Sequence, residues 1–322
     1  MRLLGMGLGA VLLAFTLLGG GCGPGAGHPD REKRITVAAT IFPLADITQN
    51  IGGDLVETVT LLPAGASPHT FEPTPAQMSK VAQADLLVRV GAGLDDWVAG
   101  LVAANSRAVR VVAVEAIGKE ALPYVPEAGG THEGHDHSTH HETVDPHVWL
   151  DPVLVRDRIA PAIAAALCQV APEHRQRFAQ NLARYQQKLT SLDAEIRTQL
   201  AGLEGASFVT LHGAWQYFGK RYHLGQLLPV HYSPAREPSA RWIAGLITAA
   251  RQTGAKAVLA EPQLSPKAVA VIAQESRLPI LVLDPLGGPG VAGRDSYLAL
   301  MRYNARTLAK LTVQKPAEAV SR

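Results

Sequence analysis

The residues best suited to chemistry in this chain are its twelve histidines, five of which fall within residues 127–143. Carboxylates at Glu133, Asp136 and Glu142 are interleaved with them. Imidazole and carboxylate groups together are ligands of borderline divalent cations such as Zn²⁺. Because the segment has almost no apolar side chain, we expect a mobile loop that binds metal more weakly than a preformed site, the alternative being a solvated loop without metal. The auxiliary ligands predicted in this segment are His132, His135, His137, His140 and His141.

Three further side chains that can bind metal follow apolar runs typical of buried strands. They are His69 after the run 56–62, His212 after 208–211 and Asp284 after 280–283. Ligands of parallel α/β sheets bind outside the carboxyl ends of the strands, so these side chains are expected to meet at a common cleft. Each is weak evidence alone, since a lone histidine is usually structural and an aspartate before proline is a common turn residue. Their recurrence at strand ends favours a metal site.

His147 is the fourth candidate, because it follows the histidine-rich segment and precedes a helix predicted to begin near Asp151. With it, each half of the chain supplies two ligands. Three imidazoles and one carboxylate suit zinc, whereas oxygen-rich sets suit manganese, which remains the alternative metal. A catalytic zinc keeps an open coordination position, but four protein ligands leave none and no His-Glu-x-x-His motif is present, so a zinc-dependent hydrolase is disfavoured. The predicted metal site is His69, His147, His212 and Asp284.

The elements that position these groups form two α/β series. Strand-like apolar runs alternate with helical patterns, which predicts two lobes with parallel sheets flanked by helices, over residues 35–172 and 204–322. The runs are 35–42, 56–62, 86–90, 109–114, 208–211, 224–228, 257–260 and 280–283. Between the lobes, apolar residues recur every three or four positions from Phe178 to Leu203 and predict one helix over 173–203, roughly 45 Å long. A continuous helix is stiff, so large opening motions of the lobes are not expected.

The amino terminus has the composition of an export signal. Arg2 is followed by an apolar stretch to Leu18 and then by three glycines before Cys22. A charged start, a short apolar core and small residues at the exit are typical of a signal peptide. Cys22 in this position resembles a lipoprotein cleavage site, which predicts lipid attachment at Cys22 and a flexible Gly/Pro-rich tether over 23–34. An ordinary secretory signal with an incidental cysteine is the alternative.

Overall charge and cysteine content exclude some partners and cross-links. The formal net charge is +2, from 30 Lys and Arg against 28 Asp and Glu, and no long basic run is present, so a nucleic-acid partner is not expected. The other cysteine, Cys168, has no partner within the chain if Cys22 is acylated. We expect a monomer.

Seven short segments, in this order, carry a family resemblance. The chain resembles the zinc/manganese-specific substrate-binding proteins of ABC importers, the ZnuA/TroA-type family (cluster A-I), over the whole body from Ile35 to the C-terminal helix. The segments are 67–75, 84–86, 91–97, 145–152, 212–218, 237–239 and 283–286.

The resemblance implies two α/β lobes joined by one rigid backbone helix, with a metal ion held between them by His69, His147, His212 and Asp284. It further implies capture of zinc, or of manganese, outside the cytoplasm, for an ABC importer permease and its ATPase. Manganese-type relatives often have a carboxylate where this chain has His212, so zinc is the predicted cargo. A metal-dependent adhesin or a periplasmic zinc buffer would use the same site and is a further alternative.

Overall fold

The computed structural model describes residues 34–98, 100, 107–123, 144–229 and 239–313. These residues belong to one compact unit that begins at Arg34. Cys22, nearly all of the predicted tether and the five histidines of segment 127–143 lie outside the described residues, so lipid attachment and auxiliary metal binding remain predictions.

The first sheet consists of four parallel strands in the order β2-β1-β3-β4. The strands are β1 (Ile35–Ala39), β2 (Val56–Thr60), β3 (Leu86–Arg89) and β4 (Val109–Val112). Ile35 pairs with Val56, and Leu86 pairs with Val109. Side chains of β1 and β3 are almost fully buried, as expected for central strands covered on both faces.

The second sheet repeats this arrangement with four parallel strands in the order β6-β5-β7-β8. The strands are β5 (Phe208–Thr210), β6 (Leu227–Pro229), β7 (Val258–Ala260) and β8 (Ile280–Val282). In both sheets the first strand of the set lies between the second and the third. Strand β5 is therefore an inner strand, and its carboxyl end lies near the middle of the row of strand ends. His212 follows the last residue of β5 by two positions.

Helices flank both sheets. The α-helical segments are α1 (Phe42–Gly52), α2 (Pro75–Gln83), α3 (Ala113–Ile117), α4 (Pro152–Leu154), α5 (Ala160–Val170), α6 (Arg175–Leu200), α7 (Gln216–Arg221), α8 (Ala240–Thr253), α9 (Pro266–Ser276) and α10 (Tyr297–Val313). A π-helical turn over Val155–Ile159 joins α4 to α5. Short 3₁₀ turns lie at Gly53–Leu55, Asp96–Val98, Gly118–Glu120, Val148–Leu150, Pro172–His174, Ala201–Leu203 and Gly213–Trp215.

The long helix α6 connects the two sheets. With the 3₁₀ turns at each end, helical structure extends from Pro172 to Leu203, close to the predicted span. Helix α6 packs against α1 and α5, which belong to the first lobe, and against α10 of the second. Its buried stripe includes Phe178, Leu189 and Ile196. The predicted fold, two parallel-sheet lobes joined by a rigid backbone helix, is confirmed.

One apolar cluster extends through both lobes. It contains Val37 from the first sheet, Leu189 from α6 and Leu259 from the second sheet, all nearly inaccessible to solvent. Because these side chains share one core, a large rotation of one lobe against the other would expose apolar surface at a cost of about 25 cal/mol per Å². The two lobes therefore hold residues at their junction in a fixed relation.

Among the described helices, none combines the length and apolar character required to cross a lipid bilayer.

Candidate metal centre

Three of the four predicted ligands come together at the junction of the lobes. One ring nitrogen from each of His69, His147 and His212 lies within 4.8 Å of the other two. A tetrahedral Zn²⁺ with Zn–N distances of about 2.0–2.1 Å requires ligand nitrogens roughly 3.4 Å apart. Small rotations of the rings therefore suffice to enclose one ion.

Each histidine is presented by a loop that follows or precedes a regular element. His69 lies between β2 and α2, after a turn in which Gly65 adopts a φ of +80°. His147 directly precedes the 3₁₀ turn Val148–Leu150. His212 has extended backbone, with φ −134° and ψ 141°, just beyond β5. The ligands are thus anchored by a sheet edge and two short helical elements.

The His147 imidazole is oriented by the carboxylate of Asp145. Nδ1 of His147 lies 2.8 Å from Oδ1 of Asp145, which also accepts the backbone N–H of His147 at 2.9 Å. Both residues are almost fully buried. A carboxylate on Nδ1 places the proton there and leaves Nε2 unprotonated for a metal.

Glu261 performs the same task for His212 and was not predicted from the sequence. Its Oε2 lies 3.1 Å from Nδ1 of His212, and its Oε1 accepts the indole N–H of Trp215 at 3.0 Å. Glu261 directly follows β7 at the same edge of the sheet as His212. The strand-end rule that indicated His212 and Asp284 would therefore also have indicated Glu261.

Asp284 occupies a different environment from the three histidines. It is buried and does not belong to the three-histidine group. Its Oδ1 accepts from the backbone N–H groups of Leu286 and Gly287, each at 3.0 Å, and from Gln263 Nε2 at 3.2 Å. Its Oδ2 pairs with Arg294 at 2.8 Å. The carboxylate is thus satisfied by four donors in this structure.

A small cavity opens between the histidines. Its walls include the three histidines and Trp149, Glu261, Gln263 and Pro285. Trp149 is fully buried and donates its indole N–H to the carbonyl of Pro285 at 2.7 Å, which ties the first lobe to the second. Trp215 is connected to the site through Glu261, whose Oε1 accepts its indole N–H.

The three imidazoles differ in their affinity for protons. Loss of hydration and the neighbouring His212 and His147 lower the pKa of His69 to about 2, although part of this residue faces solvent. Burial also lowers the pKa of His147, against the opposing effect of Asp145. Burial acts in the same direction on His212, but the charge and hydrogen bond of Glu261 outweigh it, so the pKa of His212 is raised. Two of the three rings are therefore neutral at physiological pH.

Two of these histidines also contact each other directly. Nε2 of His69 lies 2.9 Å from Nε2 of His212, a hydrogen-bond distance that requires a proton on one of the two nitrogens. This separation is shorter than the spacing that a tetrahedral zinc requires. A cation would replace the proton and move the two rings slightly apart.

Comparison with known proteins identifies the family. The model of the ZnuA family, zinc-uptake complex component A, periplasmic, matches residues 37–311. This match covers most of the chain, and the protein belongs to the ZnuA family. The family is a component of a zinc-uptake complex rather than a class of enzymes.

Individual relatives agree with this assignment. The chain is 32% identical over 297 residues to the zinc-binding protein AdcA of Streptococcus pyogenes serotype M3, covering 87% of this chain and 56% of AdcA. It is 29% identical over 252 residues to a putative metal-binding protein of Treponema pallidum, covering 77% of each. The chain thus spans little more than half the length of the AdcA proteins that it matches.

Solved structures show the same architecture. A crystal structure of ZnuA superposes with a TM-score of 0.72 at 29% identity, covering 86% of this chain and 99% of ZnuA. Zn(II)-bound AdcA from Streptococcus pneumoniae gives 0.70 at 27% identity, covering 88% of this chain and 59% of AdcA. The periplasmic zinc-binding protein TroA from Treponema pallidum, at 23% identity and a TM-score of 0.74, shares the fold over 87% of this chain and 99% of TroA.

The pKa of His212 is raised, whereas those of His69 and His147 are lowered. Zinc binding near neutral pH should therefore displace one proton, that of His212. A protonated His212 cannot bind a cation, and its pKa lies above the ordinary 6.5. Zinc affinity should therefore be constant well above that pKa and fall about tenfold per pH unit below it. Protonation of His69 and His147 should weaken binding only at lower pH, because their pKa values are lowered. Competitive titration against a chromophoric chelator between pH 8 and pH 5.5 measures this slope.

The matched variant for this titration is Glu261→Gln. Loss of the carboxylate removes the interaction that raises the pKa of His212, so the onset of the fall should move to lower pH. A slope of two or three protons, or an onset that is the same in both proteins, would contradict this account.

Proposed function

We propose that this protein captures Zn²⁺ outside the cytoplasm and passes it to an ABC importer. The observation that carries the proposal is the convergence of His69, His147 and His212 within 4.8 Å at the junction of two lobes. Three imidazoles close enough to contact one ion are a chemically appropriate ligand set for Zn²⁺. Membership of the zinc-uptake family supports the same cargo.

In the proposed complex all three histidines bind the ion through Nε2. Asp145 and Glu261 engage Nδ1 of His147 and His212, so Nε2 is the nitrogen of each ring that remains for the metal. The corresponding nitrogen of His69 already faces His212. Asp284 is the proposed fourth ligand, which requires its carboxylate to leave part of its present hydrogen-bond set.

Zinc is preferred over manganese in this proposal because of the donor atoms. Imidazole nitrogen suits zinc, whereas manganese gains more from carboxylate oxygen. The carboxylates that contact ligand histidines, Asp145 and Glu261, are engaged at Nδ1 of His147 and His212, and Glu261 also accepts the indole N–H of Trp215. The atoms available to a cation at this site are therefore mainly imidazole nitrogens.

Delivery is proposed to occur through docking of both lobes on a permease that is driven by an ATPase. Because α6 and the common core restrain the lobes, small shifts of the ligand loops, rather than a wide opening, would release the ion. Attachment through Cys22 would keep the protein at the membrane surface, and the histidines of segment 127–143 would raise the local zinc concentration. A monomer suffices for this cycle.

Replacing His212 by alanine should remove high-affinity zinc binding. Changes to groups that only orient a ligand cost about 10–100-fold in metal affinity, so loss of the ligand itself should cost more than about 100-fold. His174→Ala is the matched control, because His174 lies in the 3₁₀ turn before α6, away from the cavity lining. Isothermal titration with Zn²⁺ and zinc-dependent growth of a strain carrying each variant measure the effect. Equal affinities of the two variants would contradict the proposal.

Deleting residues 130–142 should leave the high-affinity site intact. We expect the deletion to remove only additional, weakly bound zinc ions. The composition of the segment predicts a loop that must become ordered to bind metal, which lowers its affinity. Elemental analysis after dialysis, followed by titration to saturation, counts the sites. Loss of the tight equivalent in the deletion variant would show that the segment is part of the primary centre.

A further inference from the structure

An ion pair between Asp284 and Arg294 lies beside the cavity. The Asp284 side chain is 4% exposed and that of Arg294 is 23% exposed, and the two are 2.8 Å apart. Asp284 itself does not line the cavity, but Gln263, which donates to it, and the next residue, Pro285, both do. The carboxylate is thus next to the cavity wall and is held by a cation.

Arg294 is held in place by its own surroundings. Its guanidinium carbon lies 4.8 Å from the centre of the Tyr303 ring, in cation–π geometry, and the Tyr303 hydroxyl donates to the carbonyl of Val282. The backbone carbonyl of Arg294 accepts the N–H of Gly288 at 3.2 Å. Gly287, which precedes Gly288, has a φ of +62°, and a Cβ at Gly287 would lie 2.5 Å from the Arg294 carbonyl oxygen. The loop after β8 therefore closes on itself and presents Arg294 to Asp284.

Recruiting Asp284 to a metal has a cost that the histidines do not have. If Asp284 turns to a metal, the half-buried guanidinium of Arg294 loses its carboxylate partner, which is unfavourable where water reaches it only in part. The guanidinium would in addition be close to a divalent cation of the same sign. Zinc loses little, because three imidazoles already satisfy most of its preference, but manganese depends more on the oxygen ligand.

We propose that Arg294 is a specificity-determining residue, which competes with the cargo for Asp284 and thereby disfavours Mn²⁺ relative to Zn²⁺. The proposal rests on the function proposed above and adds to it the group that sets metal selectivity. Asp284 contributes to the bound ion only to the extent that Arg294 releases it.

The test is a double-mutant cycle on Arg294 and Asp284, with competitive titrations of Zn²⁺ and Mn²⁺ against chelators of known affinity. Arg294→Gln should tighten Mn²⁺ binding by about tenfold and Zn²⁺ binding by less than about threefold, since the freed carboxylate favours the harder ion. In Arg294→Gln combined with Asp284→Asn, the selective gain for Mn²⁺ should disappear. A general effect of the lost positive charge would persist in the double variant and would affect both metals.

Two further variants keep the test decisive. Arg302→Gln is the matched control, because Arg302 also pairs with a carboxylate, that of Glu195, but on the surface; it should change neither affinity. Asp284→Asn alone, which retains Arg294, should weaken Zn²⁺ binding by less than about fivefold, far less than loss of a histidine ligand. If Arg294→Gln does not fold, this variant still tests whether Asp284 is held away from the ion, as the proposal requires.

The outcomes separate the two proposals. If the unaltered protein binds no zinc tightly, the proposed function and the role of Arg294 both fail. If it binds zinc tightly but Arg294→Gln leaves the ratio of zinc to manganese affinity unchanged, only the role of Arg294 fails. A loss of zinc affinity in Asp284→Asn as large as that in His212→Ala would likewise overturn the role of Arg294 alone.

Discussion

The structure depends on keeping three imidazoles close together and available for a cation at the junction of two lobes. Such groups repel one another when protonated and lose hydration when buried, so they would separate unless the surrounding fold held them. Two buried carboxylates hold His147 and His212 from behind, through Nδ1, and leave the opposite nitrogens facing the cavity. The three rings are thus already close together, and a cation bound between them would replace the proton between His69 and His212.

The fixed junction follows from contacts that join the lobes. The Trp149 indole binds the carbonyl of Pro285, the Tyr297 hydroxyl binds the carbonyl of Trp149, and the Tyr217 hydroxyl binds the carbonyl of Asp145. Each bond links a residue of the first lobe that lies close to His147 with a residue of the second. Together with α6 and the common apolar cluster, these bonds keep the ligand loops in register, so that selectivity is decided by local groups such as Arg294 and not by a wide closure of the lobes.

Much of this could be predicted from the sequence, because strand runs, helix periodicity and strand-end ligands are local patterns. The strands, the long helix and the strand-end positions of His69 and His212 follow from them, whereas His147 was selected by its place between the histidine-rich segment and a helix. Glu261 was missed although it obeys the same strand-end rule, because its carboxylate orients the His212 ring, a role that depends on a contact in space rather than on its position in the sequence. The pairing of Asp284 with Arg294 could not be read from the sequence, because it depends on how the loop after β8 folds back. Cys22 and the histidines of segment 127–143 remain predictions.

The central claim is that one zinc ion is bound by the Nε2 atoms of His69, His147 and His212 between the lobes. A crystal structure of the zinc-loaded protein, with anomalous data collected on both sides of the zinc absorption edge, tests it most directly. The account predicts a single strong anomalous peak with all three nitrogens at about 2.0–2.1 Å from the ion. A fully occupied peak elsewhere, or one contacted by fewer than three of these histidines, would contradict it.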